Sequence, residues 1–164
     1  MLPEPLMSEE LDLENLVTFR LSRLSDTLER AASVAYGRDH ELNLTAWRTL
    51  VILNGYEPTT VQDISRRSRI DKGWISRSVA RLESRGLLAR MPNGNDNRSV
   101  LLSLTDEGRR LVARIAPLSK QRHESLLSVL DESEREKFMR ALDLIQRRVD
   151  QMMVEDEAGL AEWE

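Results

Sequence analysis

The chain has 164 residues, 40% of them apolar and 32% charged, with a net charge of −4. That is enough apolar matter for one compact domain with helical extensions, and the charge fraction suits long helices with a wet edge. With no Cys there are no disulfides, thiol redox sensors or thiolate metal sites, and the two His, His40 and His123, stand too far apart in sequence to suggest a metal cluster; no cofactor is expected.

The aliphatic runs, such as LVIL at 50–53, fall far short of a membrane span. The start, MLPEPLMSEE, is acidic and lacks the basic segment of a signal peptide. A soluble cytoplasmic protein without membrane contact is expected. The charge is uneven. Residues 59–110 hold 11 Lys/Arg against 6 Asp/Glu, a net of +5, while the rest hold 13 against 22, a net of −9. A basic centre between acidic flanks fits either a local anionic partner or a basic solvated face.

Residues 1–9, with two prolines and no periodicity, read as disordered. From 11 to about 36, Leu13, Leu16, Val17, Leu21, Leu24, Leu28 and Ala31 recur at helical spacing, and Gly37 is the expected stop. LTAWRTLVILNG reads as a second, shorter helix capped by Thr45, with Leu44, Trp47, Leu50 and Val51 on one face and Asn54-Gly55 at its end. A third helix begins at Thr60, with Asp63 three residues on, and turns Val61 and Ile64 inward.

Asp71 opens the next helix, which runs to about 85 before Gly86. Ile75, Val79 and Leu82 cluster on one side and must pack. The opposite side carries Gly73, Ser76, Arg77, Ala80 and Ser84, with Arg81 at its edge and Lys72 near the start. A merely solvated face usually shows Glu and Lys. Small residues around one long Arg allow close approach to another surface, and Arg pairs bidentately with guanine in a major groove. Lys72, Ser76 and the first N–H groups suit phosphates.

LLAR and SVLLSL flank MPNGNDNR, and Asn93-Gly94 is a turn signal, so a β-hairpin is expected. As a wing it would bring Arg90 and Arg98 to a minor groove, with Asp96 pairing Arg98; read alone, it is an ordinary exposed turn. Thr105 restarts helix to about 129, with a kink expected at Pro117. Asp131 and Glu134 repeat the cap-plus-three pattern before a last amphipathic helix through Phe138, Leu142, Ile145, Val149 and Met152. An acidic tail, EDEAGLAEWE, is expected to be mobile. The fold class is mainly α with a small β-hairpin: a winged helix-turn-helix with long N- and C-terminal dimerisation helices.

LTAWRTLVIL, then TVQDISRRSRIDKGWISRSVARLESRGLLAR, then DNRSVLLSLTDEG, resembles the MarR family of bacterial transcriptional regulators over about residues 11–150. The specific elements are the helix D-K-x-x-[IV]-[ST]-R-x-[VL] with its LExRGL exit, the wing D-x-R, and LTxxG at the start of the next helix. The resemblance implies a homodimer with interdigitating terminal helices, binding double-stranded DNA at a palindromic operator with one recognition helix per half-site. It also implies release by a small-molecule effector, often an aromatic acid or phenol. By position, Ser76, Arg77 and Arg81 fall on the recognition helix and Asp96 and Arg98 on the wing pair. Asn97 stands where many members carry Arg or Lys, which leaves Arg98 as the main cation of the wing.

The expected organisation is a disordered stretch at 1–9, a dimerisation helix at 10–42, a DNA-binding winged helix-turn-helix at 43–108, C-terminal dimerisation helices at 109–154 and the tail at 155–164. A single wing domain could not cover the wide apolar stripes of the terminal helices; two copies would bury them together. A ligand would sit where the helical and reading parts meet. Candidates there are Phe19, Arg20, Tyr36, His40, Trp47 and Arg48, with core packing as the alternative role for Trp47 and a plain surface loop for His40. The alternative function is a winged-helix adaptor that docks a protein. An enzyme is not expected: there is no Gly-rich phosphate loop or nucleophile–His pairing, and GWIS lacks the G-x-S-x-G spacing.

Overall fold

The computed structural model describes residues 12–94 and 99–161; the expected disordered stretch at 1–9, the wing residues Asp96 and Arg98, and 162–164 lie outside the described residues. A single 3-10 turn, Leu13–Asn15, precedes α1 (Val17–His40), α2 (Leu44–Tyr56), α3 (Val61–Ser68), α4 (Lys72–Ser84), β1 (Leu88–Pro92), β2 (Val100–Leu104), α5 (Asp106–Leu127) and α6 (Glu132–Ala161). The chain forms two compact units, residues 1–115 and 116–164.

In the first unit the helix starts are local chemistry. The Thr60 hydroxyl accepts from the Asp63 N–H (3.1 Å) and donates to the Asp63 carboxylate (2.8 Å), closing the start of α3. At α2 the cap is Asn43, not the expected Thr45: its Oδ1 accepts from the Ala46 N–H at 2.8 Å. Thr45 lies inside the first turn, where its carbonyl receives the Thr49 hydroxyl. α2 also continues past Asn54-Gly55 to Tyr56. Its inner stripe is Ala46, Trp47, Thr49, Leu50 and Leu53, whereas Val51, expected on that face, is 44% exposed. Ala46, Leu50 and Leu53 run i, i+4, i+7, and Val51, at i+5, falls about 140° around the helix from Ala46.

α1 does not stop at Gly37. The left-handed residue that ends it is Glu41 (φ 52°), with the Glu41 and Leu42 N–H groups bonded to the carbonyls of Gly37 and Tyr36. A contact distant in sequence holds this end: Arg85, just past α4, donates to the carbonyls of His40 (2.9 Å) and Glu41 (3.1 Å). Where α2 and α4 cross, the buried hydroxyls of Thr49 and Ser78 meet at 3.5 Å. Leu50, Leu53, Ile64, Ile75, Val79, Leu82, Leu102 and Ile115 are fully buried and make one core beneath the three short helices, the hairpin and the first half of α5.

The hairpin pairs antiparallel from Leu88↔Leu104 to Pro92↔Val100, and the expected turn signal Asn93-Gly94 follows β1, with Gly94 in a turn. The Asn93 side chain spans the loop to the Ser99 hydroxyl at 2.7 Å. Thr59 forms a single bridge to β2, exchanging backbone bonds with Leu102 at 3.1 and 2.8 Å. Thr105 caps α5 by accepting from the Gly108 N–H and donates to the Gly86 carbonyl at 2.6 Å. Glu57 braces the same corner, accepting from the Leu104 N–H and pairing with Arg109.

In the second unit Asp131 and Glu134 form a full reciprocal capping box, each side chain accepting from the other's N–H at 2.9 Å. Arg135 donates to the carbonyls of Leu127 and Leu130 across the turn. α5 stays helical through Pro117, which leaves the Ala113 carbonyl without its usual partner. The segment 155–161, expected as part of a mobile tail, continues α6 instead, and Glu155 pairs with Arg148 at 3.0 Å.

Candidate nucleic-acid interface

α4 starts at Asp71, whose Oδ1 accepts from the N–H groups of Gly73 (2.8 Å) and Trp74 (3.2 Å). Those groups are therefore occupied, which corrects the expectation that the first amides of this helix serve a phosphate. Ile75, Ser78, Val79 and Leu82 face the core. The other side presents Lys72, Ser76, Arg77, Ala80, Arg81 and Ser84 to solvent, as expected, with Gly73 half-buried. The Ser84 hydroxyl turns back to donate to the Arg81 carbonyl. A Cβ on Gly73 would lie 3.0 Å from the Asp71 carboxylate and 3.6 Å from Arg77 Nη1. The glycine thus clears space for the Asp71 cap, while the distance to Arg77 is an ordinary contact.

Arg90 corrects a second expectation. It stands in mid-strand opposite Leu102, not at a wing tip, and its Nε pairs with Glu83 of α4 at 2.8 Å. It ties β1 to α4. Arg90 also borders an open polar cleft of about 620 Å³ between α3, α4 and the hairpin, lined among others by Asp63, Arg66, Lys72, Ser76 and Asn93. Arg66 and Arg90 are held there by Asp63 and Glu83, which leaves Lys72 as the lining cation without an ion pair among the described residues. Asp96 and Arg98, the expected wing pair, lie outside the described residues.

Sequence reasoning missed Trp74. It is 61% exposed, and the Arg77 guanidinium lies over its ring at 4.4 Å. The i, i+3 spacing was visible; the face on which the indole emerges was not. Arg67 stacks on Tyr56 at 3.8 Å in the same manner.

The ligand candidates do not form one site within a chain. Phe19 and Arg20 lie near the start of α1, about 30 Å along the helix from His40. Trp47 and Tyr36 are buried and pack ring to ring at 5.6 Å, so Trp47 takes its core role. Arg48 is exposed, and His40 is the half-buried last residue of α1, not a loop residue. Among the described residues no cluster of His, Asp and Glu could hold a metal, and no helix is long and apolar enough to cross a membrane.

The profile of the MarR family matches residues 42–100, the stretch from before α2 to the start of β2. The organic hydroperoxide resistance transcriptional regulator of Bacillus subtilis is 30% identical over 127 residues, covering 72% of this chain and 84% of that protein. The chain belongs to the MarR family. A crystal structure of a MarR/EmrR family transcriptional regulator from Acinetobacter sp. ADP1 superposes with a TM-score of 0.80 at 26% identity, covering 86% of this chain and 99% of the other. BpsR of Bordetella bronchiseptica, whose DNA binding is regulated by 6-hydroxynicotinic acid, gives 0.70 at 26% identity, covering 79% and 98%. This MarR-family chain is accordingly a winged-helix, DNA-binding transcriptional regulator and not an enzyme. In that winged-helix fold the hairpin β1–β2 is the wing.

Proposed function

We propose that two copies of the chain bind a palindromic operator, each placing α4 in a major groove, and that the protein represses until a small aromatic or phenolic acid releases it. The observation that carries the reading is the exposed face of α4. It joins small residues to a long Arg that, among the described residues, makes no ion pair, whereas Arg66, Arg90, Arg109, Arg110, Arg135 and Arg148 all sit on carboxylates. Arg77 reads a guanine; Arg81 and Lys72 meet phosphates; Ser76 and Ser84 lie at the groove wall; Gly73 lets the helix start come close. Arg90 acts by holding the wing against α4, and Arg98 enters the minor groove with Asp96 as its brace.

Dimerisation is supported within each unit by apolar surface that one chain leaves open. Leu16, Val17, Leu21, Leu24 and Leu28 line α1, and Phe138, Ile145, Val149 and Met152 line α6. A two-fold arrangement would set two reading heads about 34 Å apart, one DNA turn. Release by an acid is supported by the likeness to BpsR. Residues 10–42 and 109–154 serve the dimer, 43–108 read DNA, and the protein acts in the cytoplasm, where its DNA is.

The test is fluorescence anisotropy with the DNA upstream of the protein's own gene, across a salt series, against a scrambled duplex. Tight, selective binding is expected, with a log–log salt slope that tracks the phosphates contacted. Arg77→Ala should weaken specific binding by about 1–3 kcal/mol and relax base preference. A salt-insensitive interaction indifferent to sequence, and unchanged in Arg77→Ala, would favour the protein-docking adaptor.

A further inference from the structure

We propose that Trp74 is a sequence-reading residue of the DNA interface: its indole contacts a thymine methyl and holds the Arg77 guanidinium flat for the neighbouring guanine. The inference rests on the reading of α4 as the recognition helix.

A tryptophan 61% exposed in the first turn of a helix is not part of the core, which takes Ile75, Ser78, Val79 and Leu82 of that helix. The cleft beside the wing does not claim it either, since that cleft is bordered by Lys72 and Ser76 on the opposite flank of α4. Trp74, Arg77 and Arg81, at i, i+3 and i+7, form a flank of their own. Helical side chains lean toward the N-terminus, so Arg77 lies back over the turn holding Gly73 and Trp74. Trp74 shapes its seat: the guanidinium carbon lies 4.4 Å from the centre of the ring.

The consequence is preorganisation. A free Arg loses much rotamer freedom when it engages a base; one already stacked on an indole loses less. Stacking occupies the flat face of the guanidinium and leaves its N–H edges for guanine O6 and N7. In a major groove the remaining edge of the indole finds one kind of apolar surface, the thymine methyl. Trp74 therefore reads a T adjacent to the G of Arg77.

The experiment is a selection from a duplex pool with randomised half-sites, using the full chain as wild type, Trp74→Ala, Trp74→Phe and Arg77→Ala. Wild type is expected to enrich a T beside a G in each half-site. Trp74→Ala should lose the T preference, blunt the adjacent G preference and bind the wild-type site about 5- to 100-fold more weakly. Its salt slope should not change, because no charge is removed. Trp74→Phe should keep most of the preference. Trp74→Gln, which suits a helix but lacks a ring, replaces the Ala variant if that one does not fold, and the same losses are expected of it.

Unchanged base preference in the Ala or Gln variant overturns the proposal, whether affinity holds or falls uniformly; loss of G preference in Arg77→Ala would still leave the recognition-helix reading standing. A wild-type chain that enriches no sequence removes that reading and this proposal with it.

Discussion

Gly108 is where the first turn of α5 touches the strand entry. A Cβ built on it would stand 2.0 Å from the Leu87 carbonyl oxygen, 3.0 Å from the carbonyl carbon and 3.3 Å from Leu104 Cδ2. Ordinary carbon contacts lie near 3.5–4 Å, so Gly108→Ala must part the two backbones by more than about 1 Å. The same backbones are joined by the Thr105 N–H to Leu87 carbonyl bond (3.2 Å) and the Thr105 hydroxyl to Gly86 carbonyl bond (2.6 Å). Overpacking costs about 1–3 kcal/mol, and each bond strained adds about 1 kcal/mol. The gain in helix propensity from Gly to Ala returns about 1 kcal/mol. The expected net destabilisation is about 2–4 kcal/mol. Gly55, in the last turn of α2, is the control: nothing lies within 4 Å of the place a methyl would take there, so Gly55→Ala should stabilise by roughly 0.5–1 kcal/mol. Urea unfolding followed by circular dichroism, at one fixed protein concentration, reads both. If Gly108→Ala were as stable as wild type, or gained stability like Gly55→Ala, the close approach of α5 to Leu87 would be refuted.

Three further outcomes follow from the geometry. Asp71→Ala removes the acceptor for the Gly73 and Trp74 amides and should destabilise by about 1 kcal/mol in the same urea assay; no change would mean that α4 caps itself otherwise. Arg85→Ala frees the carbonyls that end α1 and should cost about 1 kcal/mol, with faster amide exchange at Glu41 and Leu42; protection as in wild type there would show that the left-handed turn stands without Arg85. The Glu107 carboxyl is held below its ordinary value by the hydrogen bond, then the charge, of Arg110. A pKa depressed by folding gives stability that is present above the unfolded carboxylate range and lost as pH falls through the folded value. Wild type should thus exceed Glu107→Gln at neutral pH, and the difference should vanish in acid; a difference constant with pH would assign it to something other than this charge pair.

Much of this protein was legible because its signals are local. The Thr60–Asp63 start, the Asp71 start and the Asp131–Glu134 box each need only three or four residues, and the same residues make those bonds in the fold. The inward side of α4 followed from helical spacing alone, since burial of Ile75, Val79 and Leu82 is one periodic stripe. Its outward side then had to carry Lys72, Ser76, Arg77, Arg81 and Ser84. What failed were features decided by segments far apart in the chain. α1 passes Gly37 because Arg85, 45 residues beyond His40, holds its last carbonyls. Arg90 leaves the wing tip because strand register sets it beside Glu83. Thr59, outside either strand, joins Leu102 because α3 begins against β2. Spacing along a helix or strand is a property of the residues themselves, so the sequence determined the elements, the core stripe and the exposed face of α4. Which backbone lies 2.0 Å from a missing methyl, or which carboxylate meets which arginine, depends on how those elements pack, and only the tertiary structure decided it.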